Sequence, residues 1–385
     1  MMEVEKMEFE DIRPLHDSEV KEGIGRLLAV KEFRGMVEYA FQGMIPFEKV
    51  EEQLKRIETV KEFQSGLITK MLGFVIQKTS DSFTFSGLEN IEKDKAYLFL
   101  STHRDIVLDS ALMNLVLNDN EYETARIAIG DNLVKEPWIN DLVRLNKSFI
   151  VKRGRQGKDK VLASMQLSSY IAHSIKTDNE SVWIAQREGR TKDGIDKTQP
   201  GLIKMLSIAG RKDPVNHLRS LNIVPVSISY EYNPCDAMLL PELLAKSEDR
   251  EYVKSPMEDL MSMMKGIEGK KGRIHLHFGR PLNDFSENLK NVNGEKFVSQ
   301  VVSLADHEIY HTFKLWPTNY IACDLLIGNQ RWENEYSAEE KATFEKVMTQ
   351  RVASVEGNPD KLKELYLKMY ANPVIMRMTE TNEEN

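Results

Sequence analysis

Apolar residues along this chain fall into three regimes. Over roughly the first eighty residues they recur at three- and four-residue spacing. GIGRLLAVKEFRGMVEYAFQGM and FEKVEEQLKRIETVKEFQSGLITKMLGFVIQ carry this period, which predicts amphipathic helices. From about residue 83 to 282 the pattern changes. Short β-rich runs (AYLFLST, ARIAIG, SFIVKR, SVWIAQ, NIVPVSISYEY and RIHLHFG) alternate with helix-like segments such as SALMNLVLND, EPWINDLVRLN, DKVLASMQLSSYIAHSIK and PGLIKMLSIAG. Strands alternating with helices predict an α/β fold, a mostly parallel mixed sheet flanked by helices. VNGEKFVSQVVSLADHEIYHTFKLW and SAEEKATFEKVMTQRVASV then return to helical spacing. The expected organisation is a helical region over 1–82, an α/β domain over 83–282 and a helical region over 283–385. Pro225 interrupts an otherwise buried strand pattern. Proline donates no ladder hydrogen bond, so it marks an edge or an irregularity.

Composition narrows the function classes. The chain has 385 residues, 41% hydrophobic and 29% charged, enough for a large core and ordinary for a globular protein. A formal net charge of −8 disfavours nucleic acid, whose phosphates attract cationic surfaces. Charge is uneven, however: RLNKSFIVKRGRQGKDK, residues 144–160, holds seven cations and one acid, as a solvated loop or an anion-binding face. Cys235 and Cys323 lie far apart in sequence and away from the motifs below, which suits inert thiols in a reducing cytoplasm. The acidic N-terminus lacks the apolar core of a signal peptide. No apolar run reaches the ~18 residues of a membrane span, so a lipid substrate would be met at the bilayer surface.

Open α/β sheets bind ligands beyond the carboxyl ends of their strands, and four such ends carry candidate chemistry. The first is STHRDIVLDSAL, where His103 follows a buried strand and Asp109 lies at the start of a helix. A carboxylate on one ring nitrogen leaves the other free to take a proton, although Asp109 could equally cap the helix. The second is REGRTKDG after SVWIAQ. Gly189 allows close backbone approach beside Glu188, while Arg190 and Lys192 offer cationic donors for an anion. The third is FIVKRGR with Lys152 and Arg153, and the fourth is NIVPVSISYEY.

In this order, the four segments over residues 95–282 resemble the glycerolipid acyltransferases. These enzymes move acyl chains from acyl-CoA or acyl carrier protein to glycerol-3-phosphate or 1-acylglycerol-3-phosphate. The resemblance implies that His103 is the general base and Asp109 its partner. Arg104, Arg153, Glu188, Gly189, Arg190 and Lys192 would bind the phosphate-bearing acceptor. It also implies no cofactor, no metal and no covalent acyl-enzyme. The protein would work in phospholipid synthesis from the cytoplasm, peripherally on the inner face of the cell membrane. Two departures stand out. The family separates its His and Asp by four residues, against five here, which leaves Asp105 as an alternative partner, and Arg190 follows Gly189 directly where the family has a small residue between.

Two rival readings remain. His307-Glu308-Ile309-Tyr310-His311 fits the loose zinc-peptidase pattern, with Glu333, Glu335 or Glu339 as a further ligand. A non-catalytic lipid-binding protein would also explain the altered His–Asp spacing.

Overall fold

The computed structural model describes residues 8–41, 45–283 and 294–383. Seven strands form one sheet: β1 (Ser80–Ser86), β2 (Leu98–Ser101), β3 (Arg126–Gly130), β4 (Ser148–Val151), β5 (Val182–Ala185), β6 (Ile223–Tyr230) and β7 (Gly272–Phe278). Their spatial order is β1-β7-β6-β2-β5-β3-β4. The block β6-β2-β5-β3-β4 is parallel throughout, β7 runs antiparallel to β6, and β1 is parallel to β7. The fold is therefore α/β with a mostly parallel mixed sheet, as the alternation of strand and helix patterns predicts.

Both faces of the sheet are covered, which explains the near-continuous apolar runs of its central strands. Successive side chains point to opposite faces. Leu98, Leu100, Ile184 and Ile223 enter one core with Tyr170, Ile171 and Leu206, while Tyr97, Phe99, Trp183 and Val224 enter the other with Leu112 and Val116. Helices between Asp17 and Thr79 enclose a further apolar cluster that includes Leu145. Another joins Leu239–Leu244 to the helices Pro317–Ile327, Ala338–Ala353 and Pro359–Glu383.

Pro225 corrects one expectation. It lies in β6, a central strand, directly paired with Leu100 of β2. Within a strand residue, N–H and C=O point to the same side. The Pro225 carbonyl accepts from Gly279 N at 2.8 Å, so its missing donor faces β7, beyond the ladder's last pair at Val226 and Phe278. No bond to β2 is forfeited.

Candidate active site

Three neighbouring strand ends build the site: β5, β2 and β6. Beyond β2, His103 Nδ1 lies 2.9 Å from Asp109 Oδ2. The extra residue between them is absorbed by a loop folded around that carboxylate. Asp109 Oδ2 also accepts from the backbone N–H groups of Arg104 and Asp105, at 2.6 and 2.9 Å. Asp105 does something else. Its Oδ1 accepts from Val107 N and Leu108 N, both at 2.8 Å, and so caps the helix Leu108–Asp119. The two carboxylates thus divide the roles that sequence alone left open: Asp109 holds the ring and Asp105 starts the helix.

The surroundings hold the imidazole in one orientation. Asp109 is 2% exposed, an arrangement tolerable only because its oxygens are hydrogen-bonded. Its second oxygen, Oδ1, accepts from the Tyr230 hydroxyl at 2.8 Å. Burial first, and then the Asp109 charge, hold the Tyr230 phenol well above its ordinary pKa, so it remains a donor. Trp183 meets the His103 ring edge to face, 5.6 Å between centroids. With Nδ1 turned to Asp109, Nε2 is the nitrogen left for a substrate proton. Burial, reinforced by the Asp109 charge, raises the pKa of Asp105.

The turn after β5 is tied to this loop: Gln186 N donates to the Ser101 carbonyl and Thr191 N to the His103 carbonyl, both at 2.8 Å. Gly189 adopts φ +73°, a left-handed conformation that glycine takes without steric cost. Arg190 is thereby folded inward, 8% exposed, against the Cys235 thiol and near Asp105. Among the described residues, Arg190 Nη1, Arg104 Nε, Gln186 Nε2 and Trp183 Nε1 are buried donors without an acceptor. Buried donors are normally satisfied, so a group of them around one histidine suits an anionic or carbonyl-bearing ligand.

The remaining sequence candidates are placed differently. Arg104 ion-pairs with Asp196 and lies over the Phe313 ring, and Lys192 ion-pairs with Glu242. Glu188 is exposed, its backbone N–H bonded to Gln199 Oε1. Arg153 follows β4, three strands from β2, on the order of 14 Å of sheet away. Within the basic run, Lys147, Lys152 and Arg155 pair with Glu180, Asp11 and Asp131, while Arg144 bonds the Arg13 carbonyl.

Cys235, three residues past the segment NIVPVSISYEY, sits beside Arg190 in space. Burial pushes its thiol up to about 11, which makes it a poor nucleophile. Lys271, 1% exposed and pushed down to about 8 by burial, bonds the Ile267 and Gly269 carbonyls behind Asp105. Sequence reasoning passed over Tyr230, Cys235 and Lys271 because only the strand order brings them here.

The zinc pattern does not assemble. Glu308 is buried and accepts from Arg280 N at 2.9 Å, His307 and His311 stack 4.1 Å apart, and His311 Nδ1 bonds the His307 carbonyl. Among the described residues, no three His, Cys, Asp or Glu side chains are grouped to hold a metal ion. No described helix is long and apolar enough to cross a membrane.

Residues 82–229 match the Acyltransferase family, while no curated protein matches the chain. Among solved structures, the 1-acyl-sn-glycerophosphate (LPA) acyltransferase PlsC from Thermotoga maritima is similar at 15% identity, covering 75% of this chain and 94% of that one, with a TM-score of 0.37. Residues 82–229, the segment that carries His103, Asp109 and Arg190, are thus similar to the Acyltransferase family.

Proposed function

We propose that the protein moves a fatty acyl group from a thioester, acyl-CoA or acyl carrier protein, to a hydroxyl of glycerol-3-phosphate or 1-acylglycerol-3-phosphate. The observation that carries this reading is the His103–Asp109 pair beside the buried, incompletely bonded guanidinium of Arg190.

His103 Nε2 takes the proton of the acceptor hydroxyl as its oxygen attacks the thioester carbonyl carbon. Asp109, on Nδ1, supports the imidazolium that forms. The new C–O bond completes as the C–S bond breaks, and the departing thiolate takes the proton back from Nε2. Arg190 is the group best placed for the acceptor phosphate, with Gly189 opening the turn and Glu188 at its rim. Arg104 and Lys192, ion-paired with Asp196 and Glu242, and Arg153 beyond β4 would add positive charge around the acceptor. The two buried, unpaired cysteines suit a cytoplasmic enzyme acting at a membrane surface.

The test is mass spectrometry of products from purified protein given mixed acyl donors and hydroxylated acceptors, alongside His103→Ala. A phosphate-bearing ester from the wild type and loss of turnover in the folded variant are expected. Near-normal turnover by His103→Ala would end the proposal.

A further inference from the structure

Helix Glu258–Glu268 is amphipathic in the wrong sense for a helix packed on a core. It buries Ser262 and Gly266 and turns an apolar stripe outward. Met257, Leu260, Met261 and Met264, at i, i+3, i+4 and i+7, are 56, 42, 56 and 52% exposed, and Val253 before the helix is 82% exposed. Tyr39, 47% exposed and hydrogen-bonded to Glu268, extends the patch toward the N-terminal helices. Contiguous apolar surface of this kind marks an interaction site.

The inner face is fixed to the reaction loop. A Cβ on Gly266 would lie 2.1 Å from Asp105 Oδ2, so the helix backbone rests directly on a carboxylate within the His103–Asp109 loop. Charge then points to the occupant. Three acids bordering the stripe have partners in the protein: Asp259 with Lys254, Glu258 with Tyr252 and Glu268 with Tyr39. Lys78, which lies 6.0 Å from the Tyr39 ring centroid, and Lys270 are exposed, Lys265 is partly exposed, and among the described residues none of the three is in a recorded ion pair.

We propose that this face, with Lys78, Lys265 and Lys270 at its border, docks on an anionic lipid bilayer and holds the His103 loop at headgroup level. Methionine and leucine side chains enter the acyl boundary while the lysines meet lipid phosphates. This rests on the reading above only in taking the acylated product to be a membrane lipid.

The test is co-sedimentation with vesicles of equimolar phosphatidylglycerol and phosphatidylcholine, compared with phosphatidylcholine alone. Wild type should bind the anionic vesicles more tightly. The triple variant Met257→Glu, Met261→Glu, Met264→Glu, checked for folding by circular dichroism, should lose about tenfold or more of that affinity. Changing Lys78, Lys265 and Lys270 to Ala should cost roughly fivefold per lysine on anionic vesicles and little on neutral ones. Binding requires no turnover, and His103→Ala should bind like wild type, so failure of the acyltransferase reading would leave this result standing. Equal binding by wild type and the methionine variant overturns the proposal. So does a wild-type dimer, insensitive to lipid, that the same variant dissociates in sedimentation velocity; a second copy would then cover the face.

Discussion

The Tyr230 hydroxyl donates a 2.8 Å hydrogen bond to Asp109 Oδ1, completing a buried line from the end of β6 to the His103 ring. Tyr230 lies one residue beyond the matched family segment. Tyr230→Phe leaves a charged oxygen short of its donor, which should cost about 1.5–3 kcal/mol in urea unfolding. The less stabilised carboxylate should also hold the imidazolium more strongly, moving the acidic limb of the kcat–pH profile upward. A residue that only packed would change stability and leave that limb in place.

Asp105 and Asp109 should separate cleanly. Asn caps a helix about as well as Asp, so Asp105→Asn should retain kcat within a few-fold. Asp109→Asn disturbs the ring's orienting partner and should lower kcat by about 10³–10⁴. Steady-state kinetics on both variants, with thermal melts as a folding control, checks the assignment.

Arg190→Lys replaces a planar fork with a point charge. If Arg190 holds the acceptor phosphate, the acceptor KM should rise roughly ten- to a hundredfold, the loss of about 1.5–3 kcal/mol of charged hydrogen bonding. The donor KM should barely move. Varying each substrate separately distinguishes this from general damage.

Asp306 gives a pH-dependent stability signature. It is 8% exposed, and burial pushes its carboxyl from 3.8 up to about 6 while Oδ1 accepts from Thr198 N. Between about pH 4 and 6 the folded chain keeps a proton that the unfolded chain has lost, so stability falls as pH rises through that window. Asp306→Asn keeps the acceptor for Thr198 and removes the charge. It should remove that slope and stabilise the fold at pH 7 by up to about 3 kcal/mol, read by denaturant titrations at both ends of the window.

Six strands were legible as apolar runs because both sheet faces are covered. β1 was not: SDSFTFS is polar and half-exposed at the sheet edge, and it follows a helix without a break. The His103–Asp109 pair was readable from local spacing, but the choice between Asp109 and Asp105 was not. It depends on how five backbone units fold around one carboxylate, a matter of geometry rather than residue type. Tyr230 and Cys235 escaped notice for a different reason. Their roles exist only because β6 lies against β2, a pairing between segments more than a hundred residues apart that no local pattern encodes.

The antiparallel turn of β7 against β6, and the parallel seat of β1 on β7, order events during synthesis. Ser80 emerges early and must wait for Gly272 before its strand has a neighbour. Until then the β7-facing side of β6, from Val226 to Tyr230, is a bare row of peptide groups in an apolar strand. Such an edge recruits strands from other chains. A ribosome stalled before residue 272 therefore displays a sticky intermediate, and the strand left bare is the one that supplies the tyrosine behind Asp109.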